Sequence, residues 1–165
     1  MKKHILQAFI IATLITTASG WAMGWISARI YFSDRIENGY TKTTSKTSES
    51  MLSLINVERN AAGIPSITSN DGLARAAKAK ACDMKEKAYF DHKDPSGEMG
   101  WHFIDEQRVD WQHAGENLAK GTTDPEVVMK SLMNSPTHKA NIMDKKWSQV
   151  GYASCGEYTV QFYTD

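Results

Sequence analysis

Apolar residues recur at helical spacing along much of the chain beyond residue 50. Leu73, Ala77, Ala81, Met84 and Ala88 step by four, four, three and four positions, which places them on one stripe of a helix. Asn70 or Asp71 is suited to cap the start of this helix. Shorter helices are predicted at Met51–Ala62, which Gly63 stops, and at Trp101–Arg108. Two more are predicted to start at Asp124-Pro125-Glu126 and at Ser135-Pro136, each with Pro at its first helical position.

The period of the pattern changes near the end of the sequence. From Gln149 to Ser154 and from Tyr158 to Tyr163, side chains alternate between the two faces expected of strands, around a turn at Cys155-Gly156. This pattern predicts an antiparallel hairpin. Helices followed by a terminal hairpin indicate an α+β fold in which helices are layered on an antiparallel sheet.

The N-terminus has a different character. Ile5 to Ala28 is a run of 24 residues without a charge, long enough to cross a hydrocarbon core of ~30 Å. Residues 1–32 are therefore either an uncleaved signal-anchor, which the length favours, or a signal peptide cleaved near Ala18-Ser19-Gly20. Lys2 and Lys3 favour a cytosolic N-terminus, so the rest of the chain is expected outside. Because the first cysteine is Cys82, a lipoprotein anchor is excluded.

Two further segments follow this N-terminal run. Residues 33–50 are rich in Ser, Thr and charge and have no apolar period, which predicts a polar linker. Residues 51–165 have the usual size of one domain with one core. They contain 13 Lys and Arg against 16 Asp and Glu and no basic block, so nucleic acid is not expected as a partner.

The chain contains two cysteines, Cys82 and Cys155. Cys82 lies roughly 140° from the centre of the apolar stripe of its helix, so packing of that stripe in the core does not account for it. Outside the membrane an even pair favours a disulfide. Such a bond would close a loop of about 74 residues and stabilise the fold by roughly 4 kcal/mol. The alternative is that both are small, unpaired apolar residues.

Three stretches carry polar groups suited to a site: His92 in FDHKDPSG, the run His113–Asn117, and His138 in NSPTHKAN. The Asp94–Gly97 stretch has the Pro and Gly placement of a type I turn, which would reverse the chain after His92. His138 would lie in the first turn of a helix, where the dipole disfavours an imidazolium and leaves a neutral ring. For each histidine alone, a surface or hydrogen-bonded structural role is the plainer interpretation.

Five stretches in order, LINVERNAAGIPSI, YFDHKDPSG, AGENLAKG, SLMNSPTHKANIM and VGYASCGEYTVQFY, resemble the CAP superfamily in its bacterial SCP-like form. The family comprises cysteine-rich secretory proteins, antigen 5 and pathogenesis-related 1 proteins, and the resemblance covers residues 51–165. It implies a three-layer α-β-α sandwich around a central antiparallel sheet. It also implies a cleft lined by two histidines and acidic residues, which match His92, Glu116 and His138 here, with Asn117 and Ser135 beside them.

The match to the family site is incomplete. Many members carry a second glutamate ahead of the second histidine, whereas Asn134 and Ser135 occupy the comparable positions here. His92 and His138 with a carboxylate are a ligand set suited to Zn²⁺ with a water in the fourth position. Without a second acid, no separate general base is evident, and no catalytic residue is assigned.

Three roles for this site follow from the sequence. Glu116 could simply tie the surrounding loops together, the site could bind a metal or small ligand without turnover, or the protein could be an enzyme. We therefore expect an exported, membrane-tethered interaction module whose partner is an extracellular protein, an envelope component or a lipid. The alternative is a secreted metal-dependent hydrolase of the protease type.

Overall fold

The structure, a computed structural model, describes residues 43–165. The predicted signal or anchor segment lies outside this range. Among the described helices, none has both the length and the apolar character needed to cross a membrane. The elements in chain order are α1 (Thr43–Ala61), β1 (Thr68–Ser69), α2 (Asp71–Glu86), α3 (Trp101–Glu106), β2 (Ala114–Lys120), α4 (Pro125–Asn134), α5 (Pro136–Ile142), β3 (Gln149–Cys155) and β4 (Tyr158–Thr164).

The strands form one four-stranded sheet in the order β1-β3-β4-β2. The predicted hairpin is confirmed, with β3 and β4 antiparallel, and β2 pairs antiparallel with the other side of β4. The sheet is not wholly antiparallel, because Thr68 and Ser69 of β1 run parallel to Gln149 and Val150 of β3. The expected α+β class is confirmed, and β1 and β2 are additions that the sequence pattern did not indicate.

Helices cover both faces of this sheet. Alternate residues of β4 point to opposite faces, so Val160 and Phe162 pack with α2 and α3, whereas Tyr163 packs with α1 and α4. All seven residues of β4 are buried. Each face therefore has its own apolar core, and β4 contributes to both.

The longest predicted stripe is largely correct. Asn70 caps α2 by accepting a hydrogen bond from the backbone of Leu73 at 3.0 Å. The stripe positions Leu73, Ala77, Ala81 and Met84 are all fully buried. The prediction is wrong for Ala88, because α2 ends at Glu86 and Ala88 is exposed with a positive φ of 56°. The helix approaches the sheet so closely at Gly151 that a Cβ there would lie 2.1 Å from the carbonyl carbon of Leu73.

Helix α1 begins inside the stretch predicted as a linker. Its backbone is helical from Thr43, whereas the sequence pattern placed a polar linker over residues 33–50. Met51 and Ile55 are fully buried and anchor the helix on the sheet. Extending a formed helix fixes one residue for each added hydrogen bond, so polar residues can continue it without burying a face.

The C-terminal end of α1 is held by a buried arginine. Arg59 is fully buried, and its guanidinium donates hydrogen bonds to four backbone carbonyls. The acceptors are Pro65 at 2.9 Å, Ile142 at 2.8 Å, Asp144 at 2.9 Å and Trp147 at 3.4 Å. One side chain thus joins α1 to the irregular segment between α5 and β3.

The predicted disulfide is confirmed. Cys82 on α2 is bonded to Cys155 at the end of β3, with a Cα–Cα distance of 5.0 Å and a sequence separation of 73 residues. Cys82 is partly exposed beside the buried stripe, as its angular position indicated. The bond therefore fastens the outer side of α2 to the turn of the terminal hairpin.

Candidate functional site

His92 lies on the loop between α2 and α3 rather than at the end of a helix. The predicted reversal follows it, since the amide of Gly97 donates to the carbonyl of Asp94 at 2.9 Å. The Asp94 carboxylate accepts hydrogen bonds from the amides of Ser96 and Glu98. The amide of Gly100 donates to the carbonyl of His92 at 3.0 Å, which closes the loop. These contacts fix the backbone that carries the imidazole.

A buried lysine beneath the loop holds His92 from below. Lys80 is fully buried, and its ammonium donates to the carbonyl of His92 at 3.2 Å and to the hydroxyl of Tyr89 at 3.1 Å. Burial lowers the pKa of Lys80, and the nearby Glu116 carboxylate works against this shift. Lys80 was not among the site residues predicted from the sequence. Its signal was a charged residue at position i+7 from Leu73, within the apolar stripe.

Glu116 projects from β2 toward the same loop. Its carboxylate oxygen Oε1 lies 3.5 Å from Nδ1 of His92, and only 1% of its side chain is exposed. Gly100 makes room for it, because a Cβ at that position would lie 2.3 Å from Oε2. This contact is too long for a strong hydrogen bond, and it is an ion pair when His92 is protonated. The Glu116 carboxylate raises the pKa of His92 above its ordinary value, and burial opposes the shift.

Within residues 43–165 neither carboxylate oxygen of Glu116 has a hydrogen-bond partner. A buried polar group without a partner loses hydration and gains no hydrogen bond in return. Lys80 and the protonated form of His92 supply positive charge nearby, but no donor in the described residues satisfies the oxygen lone pairs. The site therefore offers an unused acceptor.

The second histidine is held from the opposite face of β2. The side-chain amide of Asn117 donates to the carbonyl of His138 at 3.3 Å and to Oε1 of Gln161 at 3.1 Å, and it accepts from Asn141 at 3.1 Å. Asn117 is 1% exposed, so it is a buried structural tie between β2 and α5. Burial lowers the pKa of His138, and the charge of His92 adds to the effect.

The structure thus arranges the expected residues around one strand. His92 and Glu116 lie on the α2 side of β2, and the carbonyl of His138 is fixed on the α5 side. The imidazoles are close enough for the charge of one to affect the pKa of the other. Ser135 lies at the junction of α4 and α5, and its hydroxyl is 3.3 Å from that of Thr137.

The predicted metal ligands have the donor types that Zn²⁺ prefers, but their donor atoms lie too far apart to bind one ion as they stand. Two imidazoles and an unpartnered carboxylate are suitable donors. Among the described residues, however, the three-residue group whose possible donor atoms all lie within 4.8 Å is Asp94, Glu98 and His102. His92, Glu116 and His138 do not meet that spacing, so loading them with a metal would require side-chain rotation. Metal binding by His92 and His138 stays a prediction.

Sequence comparison identifies relatives of this domain. The sequence model of the cysteine-rich secretory protein family, CAP, matches residues 52–164. The Bacillus subtilis protein YkwD is 35% identical over 123 residues, which cover 73% of this chain and 48% of YkwD. The Bacillus subtilis membrane protein YlbC is 26% identical over 122 residues, which cover 74% of this chain and 35% of YlbC. The chain thus spans about half or less of these relatives.

Structural comparison finds the same fold in solved structures. An extracellular protein containing an SCP domain from Bacillus anthracis has a TM-score of 0.70 and 21% identity, covering 78% of this chain and 45% of that one. An outer surface protein from Borrelia burgdorferi has a TM-score of 0.67 and 20% identity, covering 78% of this chain and 98% of that one. At these identities the likeness concerns the fold.

Proposed function

Because the chain belongs to the cysteine-rich secretory protein (CAP) family, we propose that it is an exported binding module whose ligand site is the cleft around His92, Glu116 and His138. One observation carries this proposal: a nearly inaccessible carboxylate lies 3.5 Å from the imidazole of His92, and both of its oxygens lack a hydrogen-bond donor within the described residues. Such a group is costly to the free protein and is stabilised by a ligand that donates to it.

Three observations support export. The Bacillus anthracis and Borrelia proteins of the same fold are described as extracellular and outer-surface proteins. The domain contains a disulfide, which persists in oxidising compartments. The charge-free run at Ile5–Ala28 would direct the chain to the membrane and hold it there. Protease treatment of intact cells followed by blotting tests the location, and a domain that remains protected in intact cells would contradict export.

The missing acid favours binding over catalysis. A hydrolase needs a group that activates water against the substrate, and Asn134 and Ser135 occupy the positions where the family acid was expected. His92 is paired with Glu116, and His138 has no carboxylate partner in the described contacts. We therefore do not propose the hydrolase, and turnover of a peptide library in the presence of Zn²⁺ would overturn this choice.

A more specific proposal for the ligand is that the cleft holds a divalent cation through His92 and His138, with Glu116 as the third donor. When bound, Zn²⁺ would supply a Lewis-acidic point for an oxygen or nitrogen ligand. Calorimetric titration of the chelator-treated protein with zinc chloride tests it, and His92→Ala and His138→Ala are each expected to abolish uptake. His113→Ala is the matched control, because His113 is exposed and paired with Asp165 elsewhere.

The binding proposal itself is tested with native envelope material. Wild-type protein is expected to retain an envelope component that the double variant His92→Ala, His138→Ala loses and His113→Ala keeps. Circular dichroism and thermal melting must show that the double variant is folded. Equal retention by the folded double variant would place the binding surface elsewhere and contradict the proposal.

A further inference from the structure

Strand β2 is an edge of the sheet. It pairs with β4 on one side, and no described strand pairs with its other side. The amide of Gly121 donates to the carbonyl of Glu157 at 2.9 Å, which fixes the alternation of the antiparallel ladder. The backbone groups of residues 115, 117 and 119 therefore point toward β4. Those of Glu116 and Leu118 point away from the sheet.

These outward groups have no partner among the described residues. No hydrogen bond within residues 43–165 uses the backbone N–H or C=O of Glu116 or Leu118. Glu116 is 7% exposed as a whole residue, whereas its side chain is 1% exposed. Its accessible surface therefore lies mainly on the main chain. Unpaired groups along an edge are a template for another strand.

The two histidines flank this edge. His92 contacts Glu116 on the α2 side, and the residue carrying the second imidazole, His138, is tied to Asn117 on the α5 side. The outward backbone of β2 therefore runs between residue 92 on one face and residue 138 on the other. A ligand that lies along this edge meets main-chain donors and acceptors spaced at every second residue.

We propose that the ligand of the cleft is an extended peptide that adds to β2 as a further strand. Its main chain would exchange hydrogen bonds with the N–H and C=O groups of Glu116 and Leu118, while His92 and His138 contact its side chains. This inference rests on the proposed function and names the class of ligand. Strand addition of this kind takes affinity from the main chain and specificity from alternate side chains.

A single peptide fits the edge better than a second copy of this chain. In each copy β2 is flanked by the His92 loop on one face and by α5 on the other. Two copies joined edge to edge would place two His92 loops and two α5 helices in one space, whereas a peptide adds no such element. When no metal is bound, the unused carboxylate of Glu116 adds a preference for a donor, such as a lysine or arginine side chain, on the α2 face.

The test uses the full-length protein and a seven-residue peptide selected from a random phage-displayed library. Amide hydrogen exchange is measured by NMR with and without the synthetic peptide. In the free protein the amides of Glu116 and Leu118 should exchange fast, and that of Asn117 slowly, because it bonds to β4. With peptide bound, exchange at Glu116 and Leu118 should slow by about tenfold or more, and Asn117 should change little.

A matched pair of peptides tests the pairing without changing the protein. One is N-methylated at odd positions and the other at even positions. Strand addition predicts that one of the pair loses about tenfold or more in affinity, since only alternate amides face β2, while the other loses little. Equal losses from the two, or none, would overturn the pairing.

Other outcomes separate this inference from the proposed function. If the peptide binds and His138→Ala removes binding, but Glu116 and Leu118 gain no protection, strand addition is wrong and the cleft remains the binding site. If protection appears without peptide and grows with protein concentration, a second copy occupies the edge and the inference is wrong. If no selected peptide depends on His92 or His138, peptide recognition is wrong, and the envelope assay decides the proposed function independently.

Discussion

Replacing Gly151 with alanine tests how tightly α2 is seated on the sheet. The new Cβ would lie 2.1 Å from the carbonyl carbon of Leu73 and 2.3 Å from the amide nitrogen of Ala74. Both are backbone atoms, so no side-chain rotation relieves the contact. Restoring an ordinary contact of about 3.4 Å requires the helix to move away by roughly 1.3 Å, and a gap of only about 0.5–1 Å already forfeits a quarter to a half of each dispersion contact it opens.

The disulfide opposes that movement, because it fastens Cys82 of α2 to Cys155 of the strand that carries Gly151. Overpacking a core typically costs about 1–3 kcal/mol. We expect a value at the upper end, about 3 kcal/mol, and a melting temperature lower by roughly 10 °C. Urea unfolding followed by tryptophan fluorescence, with the disulfide intact, measures the free energy of unfolding.

Gly72→Ala on α2 is the matched control. Its Cβ would lie 2.4 Å from a methyl carbon of Val109 and 3.0 Å from Oδ1 of the capping Asn70, but both neighbours are side-chain atoms rather than backbone. Alanine also gains up to about 1 kcal/mol in helix propensity over glycine. We expect a net change within about 1 kcal/mol. A Gly151→Ala variant no less stable than Gly72→Ala would refute the close seating of α2 on β3.

Three further predictions concern charge and covalent structure. Arg59→Met should lower the free energy of unfolding by about 3 kcal/mol in urea denaturation, because four backbone carbonyls lose their donor; an unchanged midpoint would contradict this role. In metal-free protein, NMR titration should place the pKa of His92 above 6.5 and that of His138 below it, and Glu116→Gln should lower the former. The raised pKa means that the His92 pair stabilises the fold below pH 6.5 and that this stabilisation disappears as pH rises through the pKa of the folded state; reversed values would contradict the geometry. Reduction of the disulfide should lower the free energy of unfolding by about 4 kcal/mol, with thiol alkylation confirming reduction; equal stability before and after would refute this.

Elements whose residues agree with the local pattern could be predicted from the sequence. The caps and apolar stripe indicated α2, and alternating residues indicated the β3–β4 hairpin. β2 could not be recognised in this way. Its segment AGENLAK places Glu116 and Asn117 in buried positions, where the alternation that marks a strand would have apolar residues. Glu116 lies beside His92 and Asn117 ties β2 to α5, so buried polar contacts obscure the strand pattern here.

The site shows the same limit. Family motifs indicated His92, Glu116 and His138, because those residues occupy recognisable positions in ordered stretches of sequence. Lys80 was missed, since a lysine on a helix is ordinarily solvated. Its burial depends on the loop that folds over it and on Tyr89, and these contacts exist only in the tertiary structure. Residues that position a site from beneath leave a weaker sequence signal than residues that line it.

The position of β4 has a consequence for the order in which the chain can fold. It is the last described element in the sequence, yet it pairs with strands on both sides and contributes to both cores. When a chain is synthesised or crosses a membrane from its N-terminus, α1, α2 and β2 cannot complete their packing until this strand emerges. Until then β2 and β3 lack their common partner and both cores stay open, which prolongs the exposure of apolar surface. Completion of the fold thus depends on the emergence of β4.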